Sequence, residues 1–273
     1  MDERIDFKNV VAETLLIPLY MRAKESERED AILRDPLAVE LVKCISYDYT
    51  KFDKAWMSAL GCVVRGSYFD QRVQLFIRQT ENPVIVNVGC GLDTRFQRIA
   101  YRGNAVFYEL DLHEVIVIRE KLIPAPVGDN YLVASLLDTW WMDMLREKHP
   151  GGQFVFVFEG VLMYFYEDQV RSVLHNLVTR FPGGEVYFDV CGSMMVKTNL
   201  KPDSLRGHAA QIRSGIVRGR QVERWEPGMR LVEQRSYMDF ARRRWGLTGV
   251  FFRAFPSLAY KFSSLMCFKI AGQ

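Results

Sequence analysis

Residues Val84–Arg98 read VIVNVGCGLDTRFQR and combine a strand pattern with a glycine turn in a chain of 273 residues. The run Val84–Val88 is apolar and rich in β-branched side chains, which is typical of a buried parallel strand. Gly89-Cys90-Gly91 follows, and Leu92–Ala100 is expected to be helical. A strand that leads through G-x-G into a helix indicates a nucleotide-binding loop, because glycines let the backbone approach a ligand closely.

This loop differs from the dinucleotide motif G-x-G-x-x-G, because position 94 is Thr and not a third glycine. The full motif exposes a helix N-terminus to a pyrophosphate, whereas a shorter glycine loop suits a ligand without phosphates, such as S-adenosylmethionine. Asp111 lies 20 residues after Gly91, where a strand is expected to end, and its carboxylate can accept hydrogen bonds from ribose hydroxyls. NAD-binding enzymes also use such a carboxylate, so an NAD(P)-dependent oxidoreductase on a related fold stays an alternative.

Strand and helix patterns alternate on the C-terminal side of this loop. The alternation predicts an α/β fold with a doubly wound, seven-stranded, mostly parallel sheet of the Rossmann-like type. The expected strands are Ala105–Leu110, Asn130–Ala134, Phe154–Phe158, Glu185–Cys191, Met229–Tyr237 and Leu265–Ile270. The expected helices between them are His113–Leu122, Thr139–Lys148, Glu167–Arg180, Arg218–Arg224 and Asp239–Trp245.

We expect residues 1–273 to form a single domain. Residues 1–82 carry helical patterns at Val10–Lys24 and Trp56–Gln79, and Asp35-Pro36 is a typical helix start. The expected parts are an N-terminal helical cap (1–82), a cofactor-binding core (83–191), a lid insertion (192–228), and C-terminal strands with a helix (229–273).

Composition excludes several classes of protein. The net charge of +3 is too small to indicate nucleic-acid binding. The five cysteines are scattered without a C-x-x-C pair, which fits neither a zinc site nor a disulfide framework. The N-terminus is charged, and apolar runs fall short of the roughly 20 residues of a membrane span. The sequence therefore predicts a cytoplasmic protein without a metal and without a nucleic-acid or membrane partner.

Short motifs follow one another in order between about residues 10 and 191. They are Ala12-Glu13-Thr14, Arg22-Ala23 with Glu25, Asp35-Pro36, RGSYFD at Arg65–Asp70, NVGCGLDTR at Asn87–Arg95, Glu109-Leu110-Asp111, EGVLMY at Glu159–Tyr164, and Pro182-Gly183. This set resembles the leucine carboxyl methyltransferase family, and within it the polyketide O-methyltransferase branch of the tetracenomycin type. The most specific matches are to the family's G-A-G-L-D-T-R and E-G-x-L-x-Y motifs.

The resemblance implies a class I methyltransferase fold with S-adenosylmethionine as its cofactor. The implied roles are Arg65 with help from Arg22 at the cofactor carboxylate, Gly89 and Gly91 beside the methionine part, Asp111 at the ribose, Ser135 and Leu136 at the adenine, and Glu159 at the ammonium. The branch often has Asp where this chain has Ser135.

The chemistry of the cofactor tail agrees with two of these roles. The tail carries both charges, so it needs a guanidinium and a carboxylate. Glu159 ends an apolar strand, where an unpaired carboxylate would be costly. A protein arginine, such as Arg65 or Arg95, is the other candidate partner for Glu159. Asp93 and Arg95 are expected to anchor the N-terminal helices to the glycine loop.

The methyl acceptor is less defined by the sequence. We expect O-methylation of a carboxylate or hydroxyl on a small molecule, including polyketide-like acceptors; methylation of a protein C-terminal carboxylate is an alternative. A carboxylate is already ionised at neutral pH, whereas a phenol needs a general base. His208 and Tyr164 are the weak catalytic candidates. Arg206, Arg213 and Tyr164 are candidates for binding the acceptor.

Overall fold

The computed structural model describes residues 10–198, 201–205 and 210–272. Within these ranges the strands are β1 Pro83–Val88, β2 Val106–Asp111, β3 Asp129–Val133, β4 Gln153–Phe158, β5 Glu185–Cys191, β6 Met229–Arg235 and β7 Ser263–Ile270. They form one seven-stranded sheet in the order β3-β2-β1-β4-β5-β7-β6. Strand β7 is antiparallel to β5 and β6, and the other neighbours pair in parallel. The predicted fold class is confirmed.

The helices lie before the sheet and between its strands. They are α1 Val10–Ser26, α2 Pro36–Cys44, α3 Trp56–Gln79, α4 Arg95–Arg98, α5 His113–Leu122, α6 Trp140–Lys148, α7 Glu167–Arg180, α8 Ser193–Lys197, α9 Gly219–Trp225, α10 Gly246–Ala254 and α11 Pro256–Ala259. The bounds of α3, α5 and α7 agree with the sequence patterns. The start of α2 is also as expected, because the Asp35 side chain accepts a hydrogen bond from the Ala38 N–H and Pro36 occupies the first turn.

Two predicted helices are wrong. In Leu92–Ala100 only the turn Arg95–Arg98 is helical, because arginine side chains from elsewhere in the chain bind the carbonyls of Leu92 and Asp93. The arginines satisfy these carbonyl groups without the hydrogen bonds of a helix.

The second error concerns Asp239–Trp245, where the chain makes turns that include Ala241 at φ +46°. The Trp245 indole donates to the Phe240 carbonyl and thereby closes this loop. The helix begins only at Gly246.

Side chains alternate between the two faces of the sheet. Val84, Val86 and Val88 of β1 pack in the core formed with α6 and α7, whereas Ile85 packs in the core formed with α3. A third core contains residues of α1 and α2 together with Leu92 of the glycine loop. The N-terminal helices therefore cover the loop at the carboxyl end of β1. The division of the chain into cap, core, lid and C-terminal part stays a prediction.

Among the described helices, none combines the length and the apolar character that crossing a membrane requires.

Phe188 of β5 provides a test of the core. Its side chain is fully buried and stacks on Phe268 of β7 with ring centroids 5.2 Å apart. Phe188→Ala should lower the free energy of unfolding, measured by urea denaturation, by about 3–5 kcal/mol because it leaves a cavity. The control Val127→Ala changes a fully exposed side chain and should stay within about 0.5 kcal/mol of wild type. Equal effects of the two substitutions would contradict this packing.

Candidate active site

A cavity of about 380 Å³ lies at the carboxyl ends of β1, β4 and β5, which is the edge where open α/β sheets bind ligands. Its volume falls within the range of small-molecule sites. Helices α1 and α3, the glycine loop, residues 201–205 and parts of the segment 237–263 contribute to its wall. Six residues predicted from the sequence line it together: Arg22, Arg65, Gly89, Gly91, Glu159 and Tyr164.

The glycine loop depends on backbone conformations that other residues rarely adopt. Gly89 has φ +70° and Gly91 has φ +51°. A Cβ atom on Gly89 would lie 2.6 Å from Val161 Cγ2, and one on Gly91 would lie 3.0 Å from Leu15 Cδ2 of α1. The bare backbone therefore forms this part of the cavity wall.

Asp111 is the last residue of β2, directly beside the glycine loop. Its carboxylate accepts one hydrogen bond from the Gly91 N–H at 2.8 Å and another from the Leu112 N–H at 2.8 Å. Burial nevertheless raises the pKa of this carboxyl. Asp111 is half-buried and is not part of the wall of the 380 Å³ cavity.

The floor of the cavity rests on a network of buried ion pairs, which we name the arginine–carboxylate cluster. Each member lies within 4.0 Å of an oppositely charged member. The members are Arg22, Arg65, Arg95, Arg98, Asp35, Asp70, Asp93, Glu159 and Asp189. With four guanidiniums and five carboxylates, the cluster carries one more anion than cation.

Glu159 joins Arg65 to Arg95 within this cluster. Its Oε1 accepts from Arg65 Nε at 3.1 Å, and its Oε2 accepts from Arg95 Nη2 at 2.5 Å. The protein partners that the sequence analysis considered for Glu159 are therefore both present. Arg95 is almost fully buried and also donates to Asp70 and Asn87, which gives it the expected anchoring role.

Asp189 of β5 holds Arg65 from the opposite side. Arg65 Nη1 donates to Asp189 Oδ2 at 3.0 Å, and the same carboxylate accepts from the Gly160 N–H at 2.6 Å and the Tyr237 hydroxyl at 3.0 Å. Gly160 has φ +73°, and a Cβ atom there would lie 2.9 Å from Arg65 Nη2. The guanidinium thus lies directly against the backbone that follows Glu159.

The remaining predicted site residues have other surroundings. The Arg22 guanidinium donates to Asp35 and to the Leu92 carbonyl. Ser135 and Leu136 follow the edge strand β3, which β2 separates from β1, and neither lines the cavity. Arg213 is exposed, with its guanidinium 4.9 Å from the ring centroid of Tyr166. Arg206 and His208 lie outside the described residues.

Sequence reasoning missed Asp189, Asn87 and Tyr237. Asp189 carries the same signal as Glu159, because it is a carboxylate near the end of an apolar strand, FDVC. Asn87 is likewise a polar residue within the β1 run. Tyr237 had no such signal, since its position depends on the turn that follows β6.

A second buried pair fixes the far side of the glycine loop. Arg119 of α5 donates to the carbonyls of Gly91 and Asp93 at 3.1 and 2.5 Å, and its Nη2 lies 3.7 Å from Glu109 Oε2. Asn87 donates to Glu109 Oε1 at 2.7 Å. Complete burial raises the pKa of Glu109 to about 8. Glu109 therefore supports the glycine loop through Arg119 and does not line the cavity.

Residues 16–178 match the family model described as leucine carboxyl methyltransferase. The chain belongs to the leucine carboxyl methyltransferase family. It is 28% identical over 229 residues to the tetracenomycin polyketide synthesis O-methyltransferase TcmP of Streptomyces glaucescens, covering 84% of each chain. It is also 28% identical over 252 residues to the S-adenosyl-L-methionine-dependent methyltransferase dpfgK of Gibberella zeae, again with 84% of each chain covered.

Solved structures support the fold. A putative methyltransferase from Thermobifida fusca superimposes with a TM-score of 0.58 at 13% identity and covers 92% of this chain and 94% of its own. A duf574 family protein from Streptomyces avermitilis gives a TM-score of 0.59 at 10% identity, with 96% and 100% covered. The predicted family and the predicted enzyme class, an S-adenosylmethionine-dependent methyltransferase, are confirmed. These comparisons give no support to the nicotinamide-dependent alternative.

Glu109 makes the stability of the fold depend on pH. Between its ordinary pKa of 4.5 and about 8, the folded chain keeps a proton that the unfolded chain releases. The free energy of unfolding should therefore fall as pH rises through this window. Glu109→Gln removes the titrating group and should flatten the slope by an amount on the order of 1 kcal/mol per pH unit.

Urea denaturation at several pH values measures this slope. The control Glu114→Gln changes an exposed carboxylate on α5 and should keep the wild-type slope. Parallel slopes for wild type and Glu109→Gln would show that Glu109 is ionised in the folded protein.

Proposed function

We propose that the protein transfers the methyl group of S-adenosylmethionine to the carboxylate of a small, largely apolar molecule. The observation that carries the proposal is the described lining of the cavity, in which apolar side chains surround the arginine–carboxylate cluster and the buried thiols and phenols keep their protons. The cofactor, when bound, supplies an electrophilic methyl group on a sulfonium.

The charges of the cluster fit this cofactor. S-adenosylmethionine has a sulfonium, an ammonium and a carboxylate, so it carries one net positive charge against the one excess carboxylate of the cluster. Glu159 would bind the ammonium and Arg65 the carboxylate. Because Asp189 also holds Arg65, the guanidinium keeps its orientation when Glu159 gains the ammonium as a further partner.

The other proposed cofactor contacts are made by residues at the carboxyl ends of β1, β2 and β3. Gly89 and Gly91 would let the methionine part approach the backbone, and Asp111 would bind the ribose hydroxyls beside them. Ser135 and Leu136, at the end of β3, would lie on the adenine side. This order matches the order β1, β2, β3 in the sheet.

The part of the cavity lined by apolar side chains suits an apolar acceptor. Met163, Cys191 and Met195 form a small core, and Phe262 packs against it. These four side chains line the cavity, and Phe252 lines it as well. Thioether and thiol groups adapt to apolar ligands of varied shape. The name of the Streptomyces glaucescens relative supports a small, polyketide-like acceptor over a protein.

The ionisable groups of the described lining favour a carboxylate over a phenol. Burial raises the pKa of the thiols of Cys62 and Cys191 and of the phenols of Tyr164 and Tyr237, so each keeps its proton at neutral pH. A neutral thiol or phenol is a poor general base. A carboxylate acceptor needs none, since it is already ionised.

The acids of the lining each accept hydrogen bonds from protein groups. Glu159 and Asp189 accept from arginines, and Asp93 accepts from Arg98. Asp203 accepts from the first N–H groups of α3, at Met57 and Ser58. What these residues can do is orient the reactants and exclude water, which is the main requirement of an in-line methyl transfer.

Asp111→Ala tests the cofactor site. It removes the carboxylate proposed to hold the ribose and should weaken binding of S-adenosylhomocysteine by about 1.5–3 kcal/mol per lost hydrogen bond, measured by calorimetry. Glu120→Ala is the matched control, because it removes an exposed carboxylate on helix α5, which follows β2. Wild-type affinity in Asp111→Ala would remove Asp111 from the site.

The nature of the acceptor is tested by the chemical stability of the product. With S-adenosylmethionine labelled in the methyl group and paired panels of apolar carboxylic acids and phenols, label should appear in the acids as methyl esters. Mild alkali should then release it as methanol. The rate should change little between about pH 6 and 9, because the acceptor is ionised throughout. Alkali-stable label on the phenols would establish a hydroxyl acceptor instead.

A further inference from the structure

Helix α10 presents an apolar face to solvent. Its sequence GLTGVFFRA is followed by Phe255, and the outward positions are Leu247, Val250, Phe251 and Phe255. Their side chains are 88%, 56%, 50% and 56% exposed, in that order. The spacing i, i+3, i+4, i+8 places them on one side of the helix. Contiguous apolar faces of this kind mark interaction sites.

The aromatic surface continues beyond the helix. Trp56, at the start of α3, is half-exposed, and its ring centroid lies 6.4 Å from that of Trp245, the residue before α10. Tryptophan with an apolar body and a polar N–H is favoured where apolar and aqueous phases meet.

The part of the sequence that contains α10 carries charges of one sign. From Phe240 to the last residue, Gln273, the sequence contains six Lys or Arg residues and no Asp or Glu: Arg242, Arg243, Arg244, Arg253, Lys261 and Lys269. Arg244 pairs with Glu25. Arg242 and Arg243 are exposed, and in the part of the chain that the structure describes neither forms a salt bridge. Arg253 lies beside them, with Nη1 3.5 Å from the Arg242 carbonyl.

We propose that the outward face of α10, with Trp56 and the arginines at 242, 243 and 253, docks on an anionic lipid surface. Apolar side chains on one face with basic residues beside them are the features of an interfacial helix. A side chain that is 88% exposed protrudes, and a protruding side chain enters a deformable acyl layer without a preformed socket. A second copy fits less well, because a two-fold contact would bring the same arginines together.

This surface and the cavity share a wall. Phe252 lies on the cavity side of α10, where its ring meets that of Phe262 edge to face, and both rings line the cavity. An apolar acceptor dissolved in the lipid would therefore lie close to the site, a step that rests on the proposed function. The sequence analysis expected no membrane partner; the docking proposed here is attachment to a surface and needs no spanning helix.

Vesicle flotation tests the docking without using activity. We expect the full-length protein to float with vesicles of phosphatidylcholine containing phosphatidylglycerol, to float much less with phosphatidylcholine alone, and to lose binding as salt increases. Two double variants, Leu247→Ser with Phe251→Ser and Arg242→Glu with Arg243→Glu, should each reduce binding at least about tenfold.

Matched controls change exposed residues elsewhere. Leu75→Ser with Val127→Ser controls for lost apolar surface, and Lys43→Glu with Arg146→Glu controls for reversed charge. Both should bind as wild type does, and circular dichroism should show that every variant is folded. Absence of flotation, equal binding to neutral vesicles, or equal losses in the controls would overturn the proposal. Self-association that only the Leu247 and Phe251 variant abolishes, without vesicle binding, would assign the face to a second copy.

Discussion

The Glu159 carboxylate, held between Arg65 and Arg95, is the interaction on which the rest of the site depends. A buried carboxylate without a partner is costly, and so is a buried guanidinium. Each guanidinium is in turn held by a further carboxylate, Asp189 for Arg65 and Asp70 for Arg95. These residues come from α3, α4, β5 and the position directly after β4, so the four elements must all be in place for all of the charges to be satisfied.

This dependence explains why the glycine loop is not a regular helix start. In a dinucleotide site the first turn after the loop is free to bind phosphate. Here the carbonyls after Gly91 are bound by Arg22 and Arg119, and Thr94 donates to Asp35 at the start of α2. The loop is therefore fastened to the N-terminal helices and to α5. The motif G-L-D-T-R specifies attachment of the loop to the cap as much as contact with a ligand.

The parts that could be predicted from sequence are those in which local pattern and tertiary environment agree. Apolar runs with β-branched residues predicted β1 and β4, and helical periodicity predicted α3, α5 and α7. These predictions are correct because the buried face of each element follows its own hydrophobic repeat. Gly89, Gly91 and Glu159 could be placed in one site because the carboxyl ends of parallel strands meet at one edge, whereas Arg65 was placed there by the resemblance to the family. The prediction for Leu92–Ala100 was wrong because arginines distant in sequence bind its backbone. The prediction for Asp239–Trp245 was wrong because the Trp245 indole closes a turn onto the Phe240 carbonyl, a bond that periodicity does not indicate. Asp189 could not be placed beside Glu159 from the sequence, because that requires knowing the register of β5 against β4.

Leu15 and Pro18 lie on the side of the glycine loop that helix α1 covers. Leu15 lies against Gly91, and both α1 residues line the cavity. A molecule seated against Gly91 therefore has α1 beside it. Pro18 lacks an N–H, so one helical hydrogen bond is missing at this point of α1. The turns before Pro18 can therefore bend at a lower cost than those of an uninterrupted helix.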